Sequence, residues 1–147
     1  MSDWAKAGWL KPHQPTRQQV AAVFGVVDRD LEDSGRNLSS DGRFNIAYNA
    51  ALQLCAIVLF AEGWKADKLN AHHRTLNALP LILGKERQAD ADYLDACRAK
   101  RNRLEYDAAG RVSEEEAKEL REFAAELREA VAAWLGEQHP ELSPWKK

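Results

Sequence analysis

The sequence predicts an all-α protein, an up-and-down bundle of about five helices. Strand patterns are almost absent, whereas apolar residues recur every three or four positions along most of the chain. Hydrophobic residues make up 45% and charged residues 30% of the 147 residues, an ordinary balance for a globular protein. A chain of this length can bury its own core, so we expect a single domain over residues 1–147 with its core at about 16–135.

Composition argues against several classes of protein. The net charge of −2 argues against a generally basic nucleic-acid coat. Cys55 and Cys97 lie among apolar neighbours and in no CxxC or Cys/His cluster, so we expect buried free thiols and no zinc, other metal or cofactor. The first residues lack the pattern of a signal peptide, and the apolar run at 50–61 is too short to span a bilayer. We therefore expect a cytoplasmic protein with no membrane association.

The first two predicted helices have recognisable stops and starts. A short helix is predicted at residues 2–10, and it is expected to stop before Pro12 and Pro15. The next helix is predicted to begin at Thr16, whose hydroxyl can cap it, and Gln19 completes a capping box. Polar residues at 37–42 then indicate a loop.

A central helix is predicted at about residues 43–62. It is apolar nearly all round, which is typical of a helix covered on most sides, and Gly63 is expected to end it. The exceptions are three amides spaced by four residues and therefore expected on one face: Asn45, Asn49 and Gln53.

Three further helices complete the predicted bundle. A short one at about 70–79 is expected to end or kink at Pro80. A longer one follows at about 89–108. The last is predicted to begin after Ser113, with Glu116 completing a second capping box, and to run to about residue 135.

The helix at 89–108 carries the dense basic cluster of the chain. Arg101 falls on the apolar seam formed with Leu94 and Cys97, where a guanidinium needs an anionic or hydrogen-bonding partner. One interpretation is a polar cleft suited to phosphate, lined by Arg98, Arg101, Asn102 and the amides of the central helix. The alternatives are a solvated helix with the ion pairs Arg101–Glu105 and Arg103–Asp107, or a dimer seam that uses the same groups.

Other chemistry-bearing patterns are weak. His72 and His73 are adjacent and point about 100° apart on a helix, so they cannot chelate one metal ion. The sequence contains neither a GxSxG elbow nor a glycine-rich phosphate loop.

Three segments resemble the HEPN superfamily, above all the small bacterial stand-alone HEPN proteins of the SAV-type branch. They are RFNIAYNAALQLCAIVLFAEGWKA, HHRTLNALPLILG and YLDACRAKRNRLEYD, within a resemblance that covers about residues 16–135. It implies a bundle of four to five helices that dimerises through its long helices. In active members an Arg-polar-x3-His signature forms a metal-independent ribonuclease site, in which Arg holds phosphate and His moves protons. Many members belong to toxin–antitoxin or defence pairs, often beside a minimal nucleotidyltransferase.

The chain departs from that signature at one position. Arg101 and Asn102 match its start, but Tyr106 stands where the histidine belongs. A tyrosine with an ordinary pKa of about 10 is hardly ionised at neutral pH. Most of the proton transfer is therefore expected to be lost, unless the site lowers that pKa by several units or His72 or His73 acts as the base instead. We therefore expect a dimeric binding or regulatory protein with a degenerate site, one half of a toxin–antitoxin or defence pair, whose ligand is a partner protein, a nucleotide or RNA. The alternatives are a ribonuclease toxin that uses a variant Arg-Asn-x3-Tyr site, and a purely structural dimer.

Overall fold

The computed structural model describes residues 2–36, 39–67, 71–106 and 112–145, with the backbone alone at 2 and 103–106. These residues form six α-helices and one two-stranded ribbon, which confirms the predicted all-α bundle. The helices are α1 (Ser2–Lys6), α2 (Arg17–Asp33), α3 (Ser40–Ala61), α4 (Ala71–Leu83), α5 (Gln88–Tyr106) and α6 (Glu114–Gln138). The strands are β1 (Leu10–Pro12) and β2 (Trp64–Ala66).

Helix α3 is the centre of the bundle. It packs against α2, α4, α5 and α6, and most of its side chains are buried. The expectation that its apolar run is too short to span a bilayer is wrong, because by length and a mean hydropathy of 1.7 the helix is apolar enough to cross a membrane. However, 67% of that apolar stretch is buried inside the molecule. Burial by neighbouring helices therefore accounts for its composition, as predicted for a core helix.

The two predicted capping boxes are confirmed. The Thr16 hydroxyl accepts a hydrogen bond from the backbone N–H of Gln19 at 3.1 Å. In return, the side-chain oxygen of Gln19 accepts one from the backbone N–H of Thr16 at 3.3 Å. At the start of α6, Ser113 and Glu116 make the same pair of bonds at 3.0 and 3.1 Å. Each box satisfies backbone N–H groups that have no partner within the helix.

Several helix ends differ from the prediction. Helix α4 does not end at Pro80 but continues to Leu83, and Pro80 is a buried residue inside the helix. Helix α6 likewise continues past Gly136 to Gln138. Gly63 does end the α3 segment, with a φ of 88° that favours glycine, and its N–H donates to the Phe60 carbonyl.

The prediction of one helix over residues 2–10 is wrong. Helix α1 ends at Lys6, and β1 pairs antiparallel with β2, with Leu10 opposite Ala66 and Pro12 opposite Trp64. Leu10 is buried beside Leu59 of α3. Burial of Leu10 against the core favours an extended segment here, and three-residue strands are too short to give a period-two pattern.

The C-terminal segment folds back over α2 and α6. After a 3₁₀ turn at Pro140–Leu142, the Ser143 carbonyl accepts a hydrogen bond from Arg17 Nε at 2.7 Å. The Trp145 ring lies edge-on to Phe24, with centroids 4.7 Å apart. These contacts tie the described end of the chain to the first turns of α2.

Core burial and surface exposure make a matched pair of leucines for a stability test. Leu120→Ala on α6 removes a fully buried side chain and should lower the free energy of unfolding by about 2–5 kcal/mol. Leu81→Ala on α4 changes a side chain that is 58% exposed and should alter it by less than about 0.5 kcal/mol. Urea unfolding followed by circular dichroism measures both, and equal losses would contradict the packing described here.

Candidate functional site

Helices α3, α4 and α5 bring four side chains together, here named the Arg101 cluster: Tyr48, His72, Arg98 and Arg101. The Arg101 guanidinium carbon lies 5.5 Å from the centroid of the Tyr48 ring, within the range of a cation–π contact. The ring centroids of Tyr48 and His72 are 6.2 Å apart. Arg101 itself is partly buried, as expected for a guanidinium on the apolar seam of α5.

Two buried polar atoms of α3 have no described partner, and one of them belongs to this cluster. The Tyr48 side chain is 1% exposed, and its hydroxyl has no hydrogen-bond partner within the described part of the chain. The Asn45 side-chain oxygen, three residues earlier, is also buried and unpartnered there. A buried polar group without a partner costs about 1–3 kcal/mol, so such groups are candidates for binding a ligand or ordered water.

The Tyr48 hydroxyl is a hydrogen-bond donor at physiological pH. Burial raises the pKa of Tyr48, and the positive charges of Arg101 and Arg98 offset only part of that rise. The hydroxyl therefore remains protonated, and it can donate to an anionic oxygen.

His72 is the member of the cluster that can accept a proton. Partial burial lowers the pKa of His72, and the positive charges of Arg101 and Arg98 lower it further. The imidazole is therefore neutral at neutral pH, with one ring nitrogen able to accept a hydrogen bond or a proton.

Within the cluster, Arg98 is held in place by an acid on its own helix. Its Nε donates to Asp95 Oδ1 at 2.8 Å, and His73 Nδ1 lies 3.2 Å from the same oxygen. The adjacent histidines thus turn to different partners, His73 to Asp95 and His72 to Tyr48, as predicted for neighbours on a helix. Asp95 neutralises part of the local positive charge.

The three amides of α3 do not share one environment. Asn49 Nδ2 donates at 2.8 Å to Asp30 Oδ2, a buried carboxylate on α2. Gln53 lines a groove beside α4, and the Asn45 oxygen is buried without a described partner. A spacing of four residues turns by about 40° around a helix at each step, so successive amides reach different neighbours.

Part of the predicted site lies outside the described residues. Asn102 is exposed on α5, and Tyr106 is the last residue of that helix, with its side chain outside the description. The predicted ion pairs Arg101–Glu105 and Arg103–Asp107 also involve side chains outside it.

Tyr48 is the site residue that no sequence pattern singled out. His72, like His73, was expected only as a substitute for the absent signature histidine. One signal was available for Tyr48, because it lies three residues after Asn45 and so shares a helix face with it. No comparable signal places His72 beside α5, since that contact depends on how α4 packs.

Both cysteines are buried thiols, as predicted. Burial raises the pKa of Cys55 to about 12 and that of Cys97 to about 11, so neither is a thiolate at neutral pH. Cys97 lines a cavity of about 140 Å³ between α5 and α6, next to the Lys100–Glu116 ion pair. Among the described residues, no group of three or more His, Cys, Asp or Glu side chains is arranged to hold a metal ion.

Comparison of the chain with protein-family models, with curated proteins and with solved structures gave no match. The site is therefore interpreted from its own residues and geometry.

The electrostatics of the cluster predict the titration of His72. Its NMR titration midpoint should lie below about 6.5, and Arg101→Gln should raise it only partly, because burial is the larger cause. The unfolded chain then takes up this proton more readily than the folded one, so stability should fall as the pH drops below about 6.5. His72→Asn identifies the resonance, and Arg36→Gln on the surface is the control. An unchanged midpoint in Arg101→Gln would contradict the electrostatic effect of Arg101 on His72.

Proposed function

We propose that this protein is a HEPN-like, dimeric binding or regulatory protein whose Arg101 cluster binds the phosphate of a nucleotide or RNA without cleaving it efficiently. The observation that carries the proposal is the Arg101 guanidinium, held over the buried Tyr48 ring with Arg98 on the same helix. Arginine binds phosphate oxygens through two parallel N–H groups, and partial burial strengthens such charged contacts.

The cluster offers complementary groups for a phosphate. Arg101 supplies positive charge, the Tyr48 hydroxyl is a buried donor, and neutral His72 can donate through its protonated ring nitrogen. Asp95 is paired with Arg98 and His73, which reduces its repulsion of an incoming anion. Arg101 therefore contributes positive charge to this part of the surface.

The biological setting is part of the same proposal. The all-α bundle and the Arg101-Asn102 pair on α5 agree with what the HEPN resemblance implies. We place the protein in the cytoplasm as one half of a toxin–antitoxin or defence pair, with a nucleotidyltransferase or a toxin or antitoxin protein as its partner. Tyr106 at the histidine position supports binding over cleavage, because tyrosine is a poor base at neutral pH.

One observation favours the ribonuclease alternative. His72 lies in the cluster and is neutral at neutral pH, so it could accept the proton of an RNA 2′-hydroxyl. The 2′-oxygen would then bond to phosphorus while the bond from phosphorus to the 5′-oxygen breaks, giving a 2′,3′-cyclic phosphate and a 5′-hydroxyl. Arg101 would hold the non-bridging oxygens, and a protonated group would supply the leaving oxygen with its proton.

Binding and cleavage of a labelled single-stranded RNA, with chelator at pH 7.5, test the proposal. Wild type should bind measurably and cleave no faster than buffer, and Arg101→Ala should weaken binding by about tenfold or more through loss of a charged contact. Arg36→Ala, an exposed arginine on the surface, is the matched control and should keep most of the affinity.

Two further variants separate the functions in the same assay. Tyr106→His should raise any trace of cleavage, because it restores the residue that active family members carry. Robust cleavage by the wild type, lost in both Arg101→Ala and His72→Ala, would replace the binding proposal with the ribonuclease. If wild type and Arg101→Ala bind RNA with equal affinity, the Arg101 cluster is the site of neither binding nor cleavage.

Dimerisation is tested by light scattering. A dimer should give about twice the chain mass of 16.6 kDa at micromolar concentration. Exposed apolar side chains such as Trp145, which is 51% exposed, offer surface for a partner copy. A mass equal to one chain across the concentration range would contradict the dimer while leaving the binding test intact.

A further inference from the structure

A groove beside the Arg101 cluster has the properties of a ligand pocket. It has a volume of about 220 Å³ and lies between α3, β2 and the start of α4. Its walls are mostly apolar side chains: Leu52, Ala56, Leu59, Phe60, Ala66 and Ala71. Pockets that bind small molecules are typically apolar with a few polar groups that fix orientation.

Four polar side chains line the same groove, and they differ in what they offer. Gln53 carries both a donor and an acceptor in one plane, and Thr75 adds a hydroxyl. Lys65 brings positive charge from β2. His72 lines the groove and also belongs to the Arg101 cluster, so the groove and the cluster are continuous through this residue.

These features favour a flat heteroaromatic ring over an aliphatic chain. A nucleobase has apolar faces for the walls and a hydrogen-bonding edge for an amide and a hydroxyl, whereas an aliphatic chain would leave Gln53 and Thr75 without partners. The Phe60 ring at the wall also packs against the His13 ring, with ring centroids 4.9 Å apart, and this contact helps to hold it in place. Aromatic side chains are the usual stacking platform for unpaired bases.

We infer that this groove holds one unstacked nucleobase, with the phosphate of the same nucleotide against Arg101 and His72. The inference rests on the proposed function and narrows it, because a base inside the groove cannot be paired in a duplex. The ligand is a mononucleotide or one nucleotide of a single strand. Both sources share the same chemistry, a base joined through ribose to a phosphate, and they are distinguished by experiment.

Calorimetric titration with adenosine 5′-monophosphate and with ribose 5-phosphate isolates the contribution of the base. The nucleotide should bind wild type at least about tenfold more tightly, because stacking and burial of the base add to the phosphate contact. Ala56→Trp fills the groove and should remove that difference while leaving the affinity for ribose 5-phosphate unchanged. Ala133→Trp, at an exposed position on α6, is the matched control and should behave as wild type.

A second variant guards against misfolding of the first. Gln53→Leu keeps the side chain's size but removes its hydrogen bonds, and it should weaken binding of the nucleotide severalfold without affecting ribose 5-phosphate. Circular dichroism checks that each variant folds.

A single-stranded adenosine hexamer distinguishes the two sources of the ligand. If the hexamer binds more tightly than the mononucleotide, the ligand is a strand, and equal affinities identify the free nucleotide. A duplex should bind no better than ribose 5-phosphate.

The outcomes separate the two proposals. If both compounds bind equally in an Arg101-dependent way, the groove takes no base and only the phosphate site stands. If Gln53→Leu and a folded Ala56→Trp both retain the preference for the nucleotide, the base lies elsewhere and the inference is wrong. If neither compound nor RNA binds wild type, the proposed function fails together with this inference.

Discussion

The rest of the structure depends on the need to cover α3. Its 22 residues are apolar nearly all round, and water is excluded from such a helix only where other elements pack against it. Helices α2, α4, α5 and α6 cover most of it. A polar group on the covered part of α3 is therefore buried, and it must find a partner within the protein or in a ligand.

The candidate site follows from this constraint. Asn49 satisfies it with Asp30 of α2, whereas the Tyr48 hydroxyl and the Asn45 oxygen have no such partner among the described residues. Arg101 packs over the same tyrosine ring, which removes part of its hydration and strengthens its interaction with any anion that reaches it. Partial burial of His72 favours its neutral form. The cluster therefore combines a positive charge, Arg101, with a proton acceptor, His72.

Features set by local sequence were predictable, and those set by distant contacts were not. The capping boxes at Thr16 and Ser113 depend on residues three positions apart, so they could be read directly. The meeting of Tyr48 with His72 depends on how α4 packs against α3, which no spacing encodes. The shared face expected for the α3 amides was only approximate, because a spacing of four drifts around a helix with 3.6 residues per turn. The seam position of Arg101 follows from local spacing on α5, and the residue is partly buried there.

The ribbon between β1 and β2 has a consequence for the order in which the molecule is assembled. It pairs residues 10–12 with residues 64–66, which come after α2 and α3 in the sequence. During synthesis the N-terminal segment emerges first, yet its pairing strand does not exist until α3 and the Gly63 turn have followed. Closing so long a loop has a large entropic cost that only the later contacts offset. Trp4 and Trp9 therefore remain without their final packing until α3 and the strand that follows it have been made.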